Sequence, residues 1–121
     1  MKIAVPYDRG RINEHFGHCQ YIEIHTAEEG KIIGKMVLPV SGSGHVFMCS
    51  LMKRLGVNVV LAGRMGKPAM VGLKDLGIDT YIGLSGSTEN AVCAYLDGDL
   101  KSFSINNIDL SQMEDDCSCH H

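Results

Sequence analysis

A chain of 121 residues is long enough to bury one core and too short for two. Its 45% hydrophobic and 21% charged residues, with three prolines, exclude a disordered or collagen-like chain, and a net charge of −3 gives no basic field for nucleic acid. Five cysteines and six histidines are the unusual feature; an odd thiol count without a regular framework spacing speaks for reduced cysteines in a cytoplasmic protein.

The opening run Met1-Lys2-Ile3-Ala4-Val5-Pro6 enters a strand directly, with none of the marks of an export leader. No apolar stretch approaches the roughly 20 residues that cross a bilayer, so no membrane partner is expected. Lys2 to Val5, Tyr21 to Thr26 and Lys31 to Val40 read as strands, the last two joined by a turn at Glu28-Glu29-Gly30. Pro39 cannot donate to a ladder and suits the third strand to a sheet edge.

From Val46 the rhythm changes to helix then strand. Helices are expected at Phe47 to Leu55, Pro68 to Leu76 and Thr88 to Asp97, with strands at Val57 to Ala62 and Asp79 to Ile82. Pro68 fits a first helical turn, and Gly56 and Gly77 fit left-handed helix ends. Three antiparallel strands followed by βα alternation imply an α/β fold: a mixed five-stranded sheet with helices on both faces, in the order of the ribonuclease H-like architecture. Residues 1–110 form that domain, and the polar, Cys/His-rich residues 111–121 read as a mobile tail.

In this topology the loops Pro6 to Glu14 with His15 to Cys19, Ser41 to His45, Gly63 to Lys67 and Gly83 to Ser87 converge at the carboxyl ends of the parallel strands, where open α/β sheets bind ligands. Glu14-His15-Phe16-Gly17-His18-Cys19 places two imidazoles and a thiol there, donors suited to iron, copper or zinc. The plainer alternative makes His15 a strand cap, His18 a solvated side chain and Cys19 a small core residue. Ser43 and Gly44 offer loop amides to an anion, with His45 at the helix start, although a plain Gly/Ser connector explains the same string. Arg64 and Lys67 add two cations beside a helix N-terminus, or an ordinary solvated turn.

The tail Cys117-Ser118-Cys119-His120-His121 is a second concentration of soft donors, able to capture metal or to do nothing specific. His25 alternates with Tyr21 and Glu23 and reads as a surface histidine, Cys93 reads as core, and Cys49 is ambiguous between the core and the site.

Lys2-Ile3-Ala4-Val5-Pro6, Glu14-His15-Phe16-Gly17, the glycine-rich loop before the first helix, Val59-Val60-Leu61-Ala62-Gly63 and Ala94-Tyr95-Leu96-Asp97-Gly98 together resemble the dinitrogenase iron-molybdenum cofactor biosynthesis proteins of the NifX/NifY and NifB C-terminal domain type. The resemblance runs from the first residue to about Phe103. It implies a ribonuclease H-like fold that binds or carries metal-sulfur clusters, with His15 as a cluster ligand; stand-alone relatives include the orange-protein type, which holds a molybdenum-copper sulfide cluster. The Cys-x3-Cys-x2-Cys motif of a radical enzyme is missing, so cluster synthesis is not expected.

The leading expectation is a non-enzymatic carrier or scaffold for an anionic cluster or cofactor precursor of iron-sulfur, iron-molybdenum or molybdenum-copper type, exchanging with donor or acceptor proteins. His15, His18, Cys19 and His45 would supply ligands, and Ser43, Gly44, Arg64 and Lys67 would meet the cluster's charge. The alternatives are a metal-dependent phosphodiesterase using Asp8 and Glu14, and an interaction domain without a cofactor.

Overall fold

The computed structural model describes residues 1–105. The tail, with Cys117, Cys119, His120 and His121, lies outside the described residues. In chain order the elements are β1 (Lys2–Asp8), β2 (Arg11–Ile12), β3 (Tyr21–Glu28), β4 (Lys31–Pro39), α1 (His45–Leu55), β5 (Val59–Leu61), α2 (Lys67–Asp75), β6 (Asp79–Tyr81) and α3 (Thr88–Leu96). The sheet runs β4-β3-β1-β5-β6, with β2 paired to β1 off that path. The β1–β3 and β3–β4 pairs are antiparallel, whereas β1–β5 and β5–β6 are parallel.

Period-two alternation assigns the core to two faces. On one, Ala4, Ile22, Ile24 and Val60 pack against Met48 and Met52 of α1 and Ala69 and Leu73 of α2. On the other, Ile3, Val5, Val59 and Leu61 pack against Ala91 and Val92 of α3. The expected mixed sheet with helices on both faces is therefore present, and Pro39 does lie on an edge strand. The five-stranded count needs correction to six, because the two residues of β2 carry no readable period and form a strand only by pairing with β1.

Helix limits follow local chemistry. Gly56 closes α1 with φ +71°, its amide bonded to the carbonyls of Lys53 and Met52. At the start of α3 the Ser87 hydroxyl accepts from the Asn90 amide at 3.2 Å. Helices α1 and α2 approach closely at Gly72, where an added Cβ would stand 2.9 Å from Cys49 Sγ. Gly72→Ala is accordingly expected to push the Cys49 thiol aside and lose, through overpacking, the roughly 1 kcal/mol that alanine otherwise gains over glycine inside a helix. Cys49→Ala in the same chain should recover most of that loss, and additive effects in denaturant titrations would show that the two do not meet.

Candidate functional site

The loop edge is arranged by what happens at Pro6. Successive strand residues present their amides to alternate sides, and the Pro6 carbonyl faces the β2 side, accepting from the Asn13 amide at 2.9 Å. Its missing N–H therefore costs nothing in the β1–β3 ladder. The described β1–β5 pairing is Ile3 with Val59 and Ala4 with Val60, and beyond it β2 takes β5's place beside β1. A turn with positive φ at Arg9 (51°) and Gly10 (85°) brings β2 back antiparallel.

This exchange of neighbours opens a gap into which the Glu14–Phe16 backbone is laid beside the loop after β5. The Arg64 amide donates to the Glu14 carbonyl at 2.9 Å and the Phe16 amide to the Arg64 carbonyl at 3.3 Å, a parallel bridge joining His15 to Arg64. Next to it, the Gly44 amide donates to the Gly17 carbonyl at 3.0 Å. The Gly83 amide donates to the Gly63 carbonyl at 2.8 Å, and the Ile12 amide to the Gly86 carbonyl at 2.8 Å. The expected convergence of loops is thus a set of main-chain hydrogen bonds. Gly63 suits the approach, since a Cβ there would stand 3.1 Å from the Leu84 carbonyl oxygen and press on the neighbouring backbone.

His15, His18, Ser43, Gly44, His45 and Arg64 are exposed on this edge, and Lys67 is half-buried. The His15 imidazole lies 4.0 Å from the Glu14 carboxylate, with both side chains largely in water. Gly44 (φ +92°) and Gly66 are the N-caps of α1 and α2, and neither helix receives a side-chain cap hydrogen bond there, so first-turn amides add positive potential beside Arg64 and Lys67.

Cys19 does not join them. It is 3% exposed, sits in the core beneath α1 and donates to the Phe16 carbonyl at 3.5 Å. Burial pushes its thiol up to about 11, with the backbone hydrogen bond opposing in the lesser degree. Cys49, one helical turn past His45, also turns inward: it contacts the Ala69 carbonyl at 3.8 Å, and desolvation raises its thiol. Among the described residues no three His, Cys, Asp or Glu side chains gather closely enough to enclose a metal ion. Asp8 is exposed and paired with Arg9 at 3.2 Å.

Two readings of the sequence need correction. Cys93 is exposed, because α3 buries Ala91 and Val92 and Cys93 lies one step further round. His25 is 2% exposed, paired at 2.7 Å with Glu23, itself 2% exposed, because α3 lies on that face of the sheet. The Glu23-x-His25 spacing, which puts a carboxylate and an imidazole side by side on one strand face, was the available signal. Among the thiols of the described residues, alkylation at pH 8 with peptide mapping is expected to modify Cys93 first, Cys49 more slowly and Cys19 only on unfolding; early labelling of Cys19 would contradict its packing.

A family model described as dinitrogenase iron-molybdenum cofactor matches residues 1–98. The chain belongs to this family. Its curated relatives include the uncharacterized protein MJ0580 of Methanocaldococcus jannaschii, 33% identical over 109 residues that cover 85% of this chain and 92% of the relative. Among solved structures, PH0822 superposes with a TM-score of 0.76 at 27% identity, covering 84% of this chain and 95% of that one. The apo form of the orange protein from Desulfovibrio gigas superposes with a TM-score of 0.72 at 21% identity, covering 85% and 94%. At that identity the orange protein supports a shared fold. Membership in the dinitrogenase cofactor family places the chain among proteins linked to cofactor handling. Among the described residues no helix is long and apolar enough to cross a membrane.

Proposed function

We propose that this protein is a cytoplasmic carrier or scaffold, on a ribonuclease H-like frame, that receives an anionic metal-sulfur cluster or cofactor precursor at the loop edge and passes it between donor and acceptor proteins without turning over a substrate. The observation that supports this most is the main-chain bridge joining His15 to Arg64, with Gly17 tied to Gly44 beside it. It sets imidazoles, cations and helix-start amides on one edge. A bare ion requires several protein donors, and the described residues provide no such enclosure. A preassembled cluster arrives with its sulfide ligands in place and asks the protein for one or two donors and a positive surround. His15, His18 and His45 suit the first need, and Ser43, Gly44, Arg64 and Lys67 suit the second.

Cys19 is left out of the ligand set in this reading, since its thiol is committed to the core. Cys117, Cys119, His120 and His121 would assist from the tail. Iron-sulfur, iron-molybdenum and molybdenum-copper guests share the relevant chemistry, being bulky and anionic with overlapping ligand preferences. Anaerobic isolation or reconstitution, followed by metal analysis and visible absorption, is expected to show a stoichiometric cluster. Protein that takes up no iron, molybdenum or copper after loading would reject the proposal. His15→Ala is expected to weaken loading, whereas Cys49→Ala leaves it unchanged.

A further inference from the structure

The sheet face beneath α3 holds a second arrangement that the loop edge does not use. His25 Nε2 lies 2.7 Å from Glu23 Oε1, with both side chains 3% exposed. Where the carboxylate is ionised and the ring neutral, Nε2 donates to it and the lone pair is left at Nδ1. That Nδ1 is buried and has no hydrogen-bond partner. A histidine whose far nitrogen is fixed by a carboxylate is the usual form of a metal ligand, because the carboxylate sets the tautomer and makes the other nitrogen a stronger donor.

The ring lines a cleft of about 280 Å³ whose other walls are Ile32, Lys35, Glu89, Val92 and Cys93. Lys35 and Glu89 pair with each other at 2.8 Å, both side chains substantially exposed. Besides that ion pair, the cleft is lined by Cys93, by the His25 ring, whose orphaned Nδ1 is itself shut off from solvent, and by the apolar flanks of Ile32 and Val92. Two donors are too few for zinc, which takes four, and a hard cation would want oxygens. A soft d10 ion of low coordination number is satisfied by one thiolate and one imidazole. Its single charge cancels that of the thiolate once the Cys93 proton leaves to solvent.

We propose that this cleft binds one Cu(I) ion between His25 Nδ1 and Cys93 Sγ, with Glu23 holding the imidazole from behind. The site lies on the opposite face of the sheet from the core beneath α1 and α2, and it is independent of cluster binding at the loop edge.

The test uses the full chain carrying Cys117→Ser and Cys119→Ser, so that tail thiols do not compete, titrated anaerobically with Cu(I) against a chromophoric chelator. One tight equivalent is expected in this background. Cys93→Ser should weaken it by at least about tenfold, while Cys49→Ser and His15→Ala leave it in place. Because replacing a buried histidine endangers the fold, the nitrogen ligand is read without mutation. X-ray absorption should show one sulfur and one nitrogen neighbour, and the His25 Nδ1 resonance should move on loading. The site is refuted by the absence of a tight equivalent, by its survival in Cys93→Ser, by a copper shell without nitrogen, or by an unmoved His25 resonance.

Discussion

Glu23→Ala is expected to destabilise the protein by about 3 kcal/mol, lowering Tm by roughly 10–20 °C. The magnitude follows from where the pair sits. Glu23 and His25 stand opposite Val5 and Ile3 in the β1–β3 register, on the face where those residues meet α3, and Glu23 is the partner of His25 Nε2. Removing the carboxylate orphans a second nitrogen of a ring whose Nδ1 already lacks a partner. His25→Ala should cost a comparable amount by stranding the carboxylate instead. Replacing both residues by leucine is expected to recover much of the loss, since a buried pair contributes less to stability than its broken half removes. Denaturant unfolding of the two singles and the double measures the coupling; simple additivity would mean that the two groups act independently.

The second large effect concerns charge at the loop edge. Arg64→Gln combined with Lys67→Gln is expected to weaken cluster loading by roughly 10–30-fold at low salt and to flatten its dependence on ionic strength. Arg64 is carried by the bridge to His15, and Lys67 opens α2 beside an N-cap without a side-chain hydrogen bond, so both cations reinforce the potential of the helix start. Lys53→Gln with Lys74→Gln removes the same formal charge from the last turns of α1 and α2, at the far ends of those helices. That control should leave loading nearly unchanged. Equal losses in the two pairs would point to net charge alone and withdraw the loop edge as the binding surface.

Much of the fold is legible in the sequence because local and tertiary preferences agree. Gly56 ends α1 in a left-handed residue, Pro68 falls in the first turn of α2, and α3 begins at Thr88, each within a residue or two of the expected place. Convergence of the loops is legible too, since it follows from strand direction alone. What is not legible depends on neighbours distant in sequence. Strand β2 exists because Pro6 leaves the β1 edge open after Ala4, and two residues cannot announce that themselves. Tyr21, Glu23 and His25 alternate with Ile22 and Ile24 in the pattern of a wet face, yet α3 buries Glu23 and His25 while leaving Tyr21 exposed. Cys19 carries ligand chemistry by residue type, and only the packing of Phe16 and Met48 around it shows that the thiol is spent on the core.

The joints that hold the loop edge together are made by amides and carbonyls: Arg64 to Glu14, Phe16 to Arg64, Gly44 to Gly17, Gly83 to Gly63. Apart from the glycines at Gly44, Gly63 and Gly83, such joints do not depend on side-chain identity. The rim can therefore change its imidazoles, hydroxyls and cations without renegotiating how the chain folds.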